Sequence, residues 1–229
     1  MDRMAAGGGK CMAEVRPLIL QLGQKITDRL GRKINENDPE YWGLNEIVTD
    51  EMAEVALKMD VRKPITLPQL VKRTGKSAEY LDKLTMDMAM AGLIEYNWEN
   101  PKREKQYILP MFVPGSMNQK QLEEHPKLGK FFERMSFEPL TKVTPMVPEG
   151  GAGIGMHVIP VEKAIEAENK SVSVEHISHW LSKYEGKYAA SPCSCRLSRR
   201  TFDEGCADDP EDWCIGVGDM ADYLVETKR

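Results

Sequence analysis

The sequence predicts an α+β fold, mainly helical, in which a helix–turn–helix–hairpin part precedes a small cysteine-rich part. Three observations predict it. Apolar residues recur at helical spacing through the N-terminal half, two short β-like runs bracket the turn "ENPKRE", and four of the five cysteines fall between Cys193 and Cys214. A chain of 229 residues can bury one or two cores. Its 41% hydrophobic and 29% charged residues are ordinary for a globular protein, and a net charge of -5 speaks against a nucleic-acid binder. No run of about eighteen apolar residues offers a membrane span, so no membrane partner is expected. "MDRMAAGGGKCMAEVRPLILQL" lacks the contiguous apolar core and cleavage site of a secretory signal, and a cytoplasmic protein is expected.

After a Gly-rich end, Leu18, Leu20, Leu22, Ile26 and Leu30 predict a helix over Val15–Leu30. Asn45–Met59 reads as a second helix, with Ile47, Met52, Val55, Ala56 and Met59 as its apolar stripe. Beyond Pro64, a short helix from about Leu67 to Arg73 stops at Gly75. Ser77 caps another, with Leu81, Leu84 and Met88 on one face, ending at Gly92. The β-like runs Leu93–Asn97 and Gln106–Leu109 follow.

Helix, turn, helix and hairpin come in the order of a winged helix, and residues 44–112 resemble that superfamily in pattern. A DNA-binding version needs a basic second helix to meet phosphates and base edges. This helix carries Glu79, Asp82, Lys83 and Asp87 and no arginine. The hairpin offers Lys102, Arg103 and Lys105, diluted by Glu99 and Glu104. DNA is therefore not an expected partner, and the unit reads as one for packing or protein contact.

From Met111 to Pro148, five prolines (114, 126, 139, 145 and 148) interrupt the chain around one expected helix, about Gln119–Met135, with the pair Phe131–Phe132. Gly150, Gly151, Gly153 and Gly155 invite a phosphate-loop reading, but Met156 stands where the dinucleotide fingerprint needs glycine. A loop before a strand at Met156–Ile159 is expected instead. Val174–Tyr184 reads as a helix with Val174, Ile177, Trp180 and Leu181 facing inward. His176 and His179 on it fit packing or surface better than ligation, and His125 and His157 have no partner visible in the sequence. "KYAA" leads into a cysteine loop, and "GDMADYLVE" closes the chain as a short helix.

In a reducing compartment a local group of cysteines more often means metal or redox chemistry than a disulfide. Cys193, Cys195, Cys206 and Cys214 are spaced C-x-C, ten residues, C, seven residues, C, among Ser, Arg, Gly and Asp. Cys11, beside Gly7, Gly8 and Gly9, reads as an ordinary cysteine. Four thiolates close a shell around Zn(II) or around a cubane iron–sulfur cluster. Either centre is anionic, which Arg196, Arg199 and Arg200 would offset, while Gly205 and Gly216 would let backbone come close to sulfur. The C-x2-C knuckles common in zinc sites and the ferredoxin run ending in Cys-Pro are both missing, so the spacing leaves both centres open. No C-x-x-C is present, which makes dithiol redox catalysis less attractive. The acidic run Asp208, Asp209, Glu211 and Asp212 reads as a solvated loop.

The segment "AASPCSCRLSRRTFDEGCADDPEDWCIGVGDMADYLVE" resembles a cysteine-rich unit of anaerobic bacterial oxidoreductases and ferredoxin-like proteins. Pro192, Cys193, Cys195, Arg196, Gly205, Cys206, Cys214, Gly218, Ala221, Asp222, Tyr223, Val225 and Glu226 carry the resemblance. It implies one [4Fe-4S] cluster held by Cys193, Cys195, Cys206 and Cys214. It also implies an electron-transfer module or subunit with no catalytic residue of its own. Ferredoxin-like and FAD/NAD(P)-binding modules or subunits would be its partners, within an anaerobic flavin- or NAD(P)-linked oxidoreductase. The chain reaches Arg229 just past the motif and contains neither module, which points to a fragment or a separate subunit. The alternative is structural Zn in a winged-helix interaction or regulatory protein. The expected division is a flexible end and helix (1–43), the winged-helix-like domain (44–112), a Pro/Gly-rich connector (113–155) and a cysteine-rich cluster- or metal-binding domain (156–229).

Overall fold

Ile19, Leu22 and Ile26 lie on one face of helix α1 (Pro17–Thr27) and are buried, whereas Leu18 and Leu20 are half-buried. The computed structural model describes residues 14–27, 33–110, 122, 124–134, 177–203 and 213–229. The buried stripe of α1 starts one residue later than Leu18, because the i, i+3, i+7 face that meets its neighbours begins at Ile19. Those neighbours are α2 (Pro39–Ile47) and α3 (Asp50–Leu57).

The single helix expected over Asn45–Met59 is instead the end of α2 and the whole of α3. Val48 is extended at φ −101° and ψ 127°, and Thr49 caps α3, its side chain accepting from the Met52 N–H at 3.2 Å. Asp50 and Glu51 then complement the positive end of α3. Thr followed by two acids is a helix start, and the apolar stripe running through it concealed the break. Arg16 clasps the junction, donating from Nη2 to the Val48 carbonyl at 2.9 Å and from Nε to Asp50 at 3.0 Å.

Strand β1 (Ile65–Thr66), α4 (Leu67–Thr74), α5 (Ala78–Ala91), β2 (Glu95–Asn97) and β3 (Gln106–Ile108) follow. Caps explain why α4 and α5 fall where expected. The Gln69 side chain accepts from the Thr66 N–H at 2.9 Å, and Ser77 accepts from the Tyr80 N–H at 3.3 Å. Both helices stop at a glycine in the left-handed region, Gly75 and Gly92. β2 and β3 are antiparallel with Tyr96 opposite Tyr107, and β1 pairs with the other edge of β3, giving the order β1-β3-β2.

The helix expected over Gln119–Met135 is described only as α6 (Leu128–Phe132), which packs on α2, with Phe131 filling the space beside Gly43. Then come α7 (Ile177–Lys183), β4 (Tyr188–Pro192), α8 (Ser194–Arg200), β5 (Trp213–Val217) and α9 (Asp219–Glu226). β4 and β5 form a second antiparallel sheet that the sequence reading did not anticipate. The expected cysteine loop is in part strand and in part helix. The fold is thus α+β, with two small antiparallel sheets among the described residues. No described helix is long and apolar enough to cross a membrane. Cys11, Cys206, His157, His176, Val174, the glycines at 150–155 and the expected strand Met156–Ile159 lie outside the described residues.

One buried apolar cluster runs from Ile19 in α1 to Leu224 in α9. Tyr223 brings α9 into it. Its ring meets Tyr96 of β2 edge-on at 5.0 Å, and its hydroxyl donates to the Ile94 carbonyl at 3.1 Å. Arg229 lies over the Tyr223 ring and donates to the Ala89 carbonyl at 2.8 Å, closing the C-terminal end of α5. Tyr223→Phe should therefore cost about 1 kcal/mol, the order of one buried hydrogen bond. Tyr223→Ala should cost about 3–5 kcal/mol, as a truncated core aromatic does. Urea titration checks both, and an alanine variant as stable as the parent would show α9 undocked in solution.

Candidate functional site

The β4–β5 register builds the site. Ser191, fully buried, stands opposite Cys214 across the ladder. Two residues beyond Ser191 the chain leaves the strand at Cys193, which is the N-cap of α8 with φ −70° and ψ 112°. Cys195 falls in the first turn of α8 and is exposed, as is Cys214. α8 is fixed from its other side. Ser198 donates to the Gly129 carbonyl at 3.2 Å in a buried contact, and a Cβ at Gly129 would run into Thr201, so α6 and α8 approach closely only because residue 129 is glycine. Arg199 adds an ion pair to Glu133 at 2.9 Å.

This brings three of the four expected thiols together. Cys193 lies close enough to Cys195 and to Cys214 to raise both thiols, and none of the three is in a disulfide. Desolvation, and then the neighbouring Cys193 and Cys195, push the Cys214 thiol up to about 11, with Arg196 pulling the other way. Desolvation and then Cys193 raise the Cys195 thiol as well. Ionising one sulfur beside two others is unfavourable, and a soft cation joining them would relieve that cost. Among the described residues, however, no group of three or more His, Cys, Asp or Glu side chains is arranged to hold a metal ion. As a donor set the three thiols suit a thiophilic metal; Cys206, the fourth expected ligand, lies outside the described residues.

Several expected supporting roles change. Arg199, an expected counter-charge to sulfur, makes an ion pair with Glu133 on α6. Gly216 was expected to let backbone approach sulfur; instead it makes room for α9, since a Cβ there would lie 2.5 Å from Leu224 Cδ1. Arg196 is exposed and near enough to Cys214 to favour its thiolate. His179 is exposed, and His125 pairs with Glu46 at 3.2 Å.

The sequence reading missed Asp219, the first residue of α9. Its carboxylate accepts from the Trp98 N–H at 2.9 Å and from Arg103 at 3.0 and 3.3 Å. The β2–β3 hairpin is thereby tied to the turn that follows β5, a few residues from Cys214. Only the Gly-Asp pair ahead of an amphipathic helix hinted at it. Comparison with protein-family models, with curated proteins and with solved structures finds no match for this chain.

Burial by itself would raise the Asp219 carboxyl, but Arg103, the Trp98 N–H and Lys187 outweigh it and hold the group below its ordinary value of 3.8. A carboxyl lowered by folding contributes fully above its unfolded value, and the contribution is lost as pH falls through the folded value. Arg103 is 59% exposed, so solvent screening limits the pair to about 1 kcal/mol. Asp219→Asn should accordingly lower the urea midpoint at neutral pH and flatten the decline of stability below pH ~4. An acid limb as steep as the parent's would mean that the pair is not formed in solution.

Proposed function

We propose that this chain is an electron-transfer module in which Cys193, Cys195, Cys206 and Cys214 hold one [4Fe-4S] cluster. The observation that carries the reading is that the β4–β5 register and the start of α8 gather Cys193, Cys195 and Cys214 at one place in the fold. An all-thiol donor set with no described carboxylate or imidazole among it suits iron–sulfur chemistry or Zn(II) rather than a hard cation. A bound cluster supplies a one-electron store. The chain's own residues hold it: β5 presents Cys214, the N-cap of α8 presents Cys193, its first turn presents Cys195, and Arg196 offsets negative charge at Cys214. No substrate chemistry is assigned to this chain. Its partners are ferredoxin-like and FAD/NAD(P)-binding modules or subunits of an anaerobic flavin- or NAD(P)-linked oxidoreductase, in the cytoplasm.

Residues 44–112 we read as a winged helix. The order α3, β1, α4, α5, β2, β3 and the sheet order β1-β3-β2 support that reading. It is a winged helix used for packing. The exposed face of α5 carries Glu79, Asp82, Lys83 and Asp87. Two of the three hairpin cations are engaged within the chain, Arg103 on Asp219 and Lys105 over the Tyr96 ring at 3.8 Å, near Glu226.

Anaerobic purification with metal and sulfide analysis tests the cluster. About four irons per chain and a broad brown absorbance are expected, and a colourless protein with one zinc would replace the cluster with the structural-zinc reading. Replacing any of the four cysteines by Ser should lower metal content, whereas Cys11→Ser should leave it unchanged. Full metal content in Cys214→Ser would remove the site. The full chain should bind duplex DNA only weakly, with affinity falling steeply as salt rises and no sequence preference. Tight, sequence-selective binding at physiological salt would restore the regulator.

A further inference from the structure

We propose that the metal-free chain carries a redox modification site, a disulfide between Cys193 and Cys214. The inference does not depend on the cluster. It rests on where the β4–β5 ladder puts two sulfurs. Ser191 and Cys214 are directly paired, so Cys193, two residues further along the same strand direction, is the next side chain toward Cys214 on that face. Cys193 also lies near enough to Cys214 to raise its thiol. Cys214 is exposed and Cys193 half-exposed, so a small oxidant reaches them.

Cys195 also lies near Cys193, but it is the weaker partner for a covalent bond. It belongs to the first turn of α8, and a bond to Cys193 would close a very short ring across the helix start and strain that turn. A Cys193–Cys214 bond only joins the end of one strand to its neighbour and leaves α8 and its Ser198–Gly129 anchor in place. The chemistry is thiol–disulfide exchange with a low-molecular-weight disulfide such as oxidised glutathione. One protein sulfur, as thiolate, attacks a sulfur of the small disulfide and expels one small thiol. The second protein sulfur then attacks the mixed disulfide and expels the other. Two protein thiols lose two hydrogens and two electrons, and one small disulfide becomes two small thiols.

The test uses the full, metal-free, reduced chain treated with oxidised glutathione, digested without reductant by trypsin and an Asp-directed protease, and mapped by mass spectrometry. Asp208, Asp209 and Asp212 allow Cys206 to be separated from Cys214. Cys193–Cys214 should be the dominant bond, formed at a rate independent of protein concentration. It should persist in Cys195→Ser and in Cys206→Ser and vanish in Cys214→Ser. The denatured chain supplies the contrast. Without the fold, loop closure favours the nearer Cys206 as partner of Cys193 by about twofold, so the preference for Cys214 should reverse in concentrated urea. A folded chain that joins Cys193 to Cys206 or Cys195, or that stops at mixed glutathione adducts, would overturn the proposal. So would the same pairing ratio in urea as in buffer.

Discussion

The docking of α9 against β2 is the contact on which the placement of the thiols depends. Tyr223 enters the core beside Tyr96, Glu226 accepts the Tyr96 hydroxyl at 2.6 Å, and Asp219 fastens the hairpin through Arg103 and the Trp98 N–H. These are contacts between residues more than a hundred positions apart, so the chain's end is ordered by a surface that the N-terminal helices and sheet supply. β5 runs straight into α9 through Gly218, whose φ of +64° is open to glycine at little cost. Fixing α9 therefore fixes β5, and β5 fixes β4 through the ladder. Cys214 and Cys193 inherit their positions from that sequence of constraints.

The other boundary of the site is set by α6. Gly129 admits α8 so closely that Ser198 reaches its carbonyl, and Arg199–Glu133 closes the same seam from a half-exposed position. The buried serine bond carries more of the specificity than the ion pair, since an exposed pair contributes about 0–1 kcal/mol. With α8 held from one side and β5 from the other, the three thiols are brought together by elements anchored elsewhere. Proximity that costs ionisation energy in the metal-free chain is thus sustained by packing at a distance from sulfur.

What the sequence disclosed follows from the range of the forces involved. α4 and α5 were legible because their starts and stops are local: Ser77 and the Thr66–Gln69 pair at one end, Gly75 and Gly92 at the other. The α2–α3 break was written at Thr49 but hidden under a continuous apolar stripe. β4 was not legible. Its residues "YAASP" have no strand pattern of their own and become a strand only by pairing with β5. The cysteine spacing suggested a site, while what gathers the three described thiols, a ladder register and a helix start, is non-local. Arg199 and Gly216 were assigned to sulfur for the same reason: their partners, Glu133 and Leu224, are remote or unsignalled in sequence.

The C-x-C spacing itself has a geometric explanation. Two residues separated by one position diverge on a helix, and on a strand they share a face but lie nearly 7 Å apart along it. Neither regular element alone brings both sulfurs to one point. Here the helix begins between them. Cys193 keeps the extended conformation of the strand it leaves, and Cys195 already belongs to the first turn of α8. Ser194 between them is buried, and the change from extended to helical backbone at that point is what lets the two sulfurs face one region. Moving the helix start one residue earlier would draw Cys193 into α8 and turn its sulfur away from both Cys195 and Cys214. The position of that single boundary, held by the strand ladder before it and the α6 seam after it, decides whether the spacing makes a site.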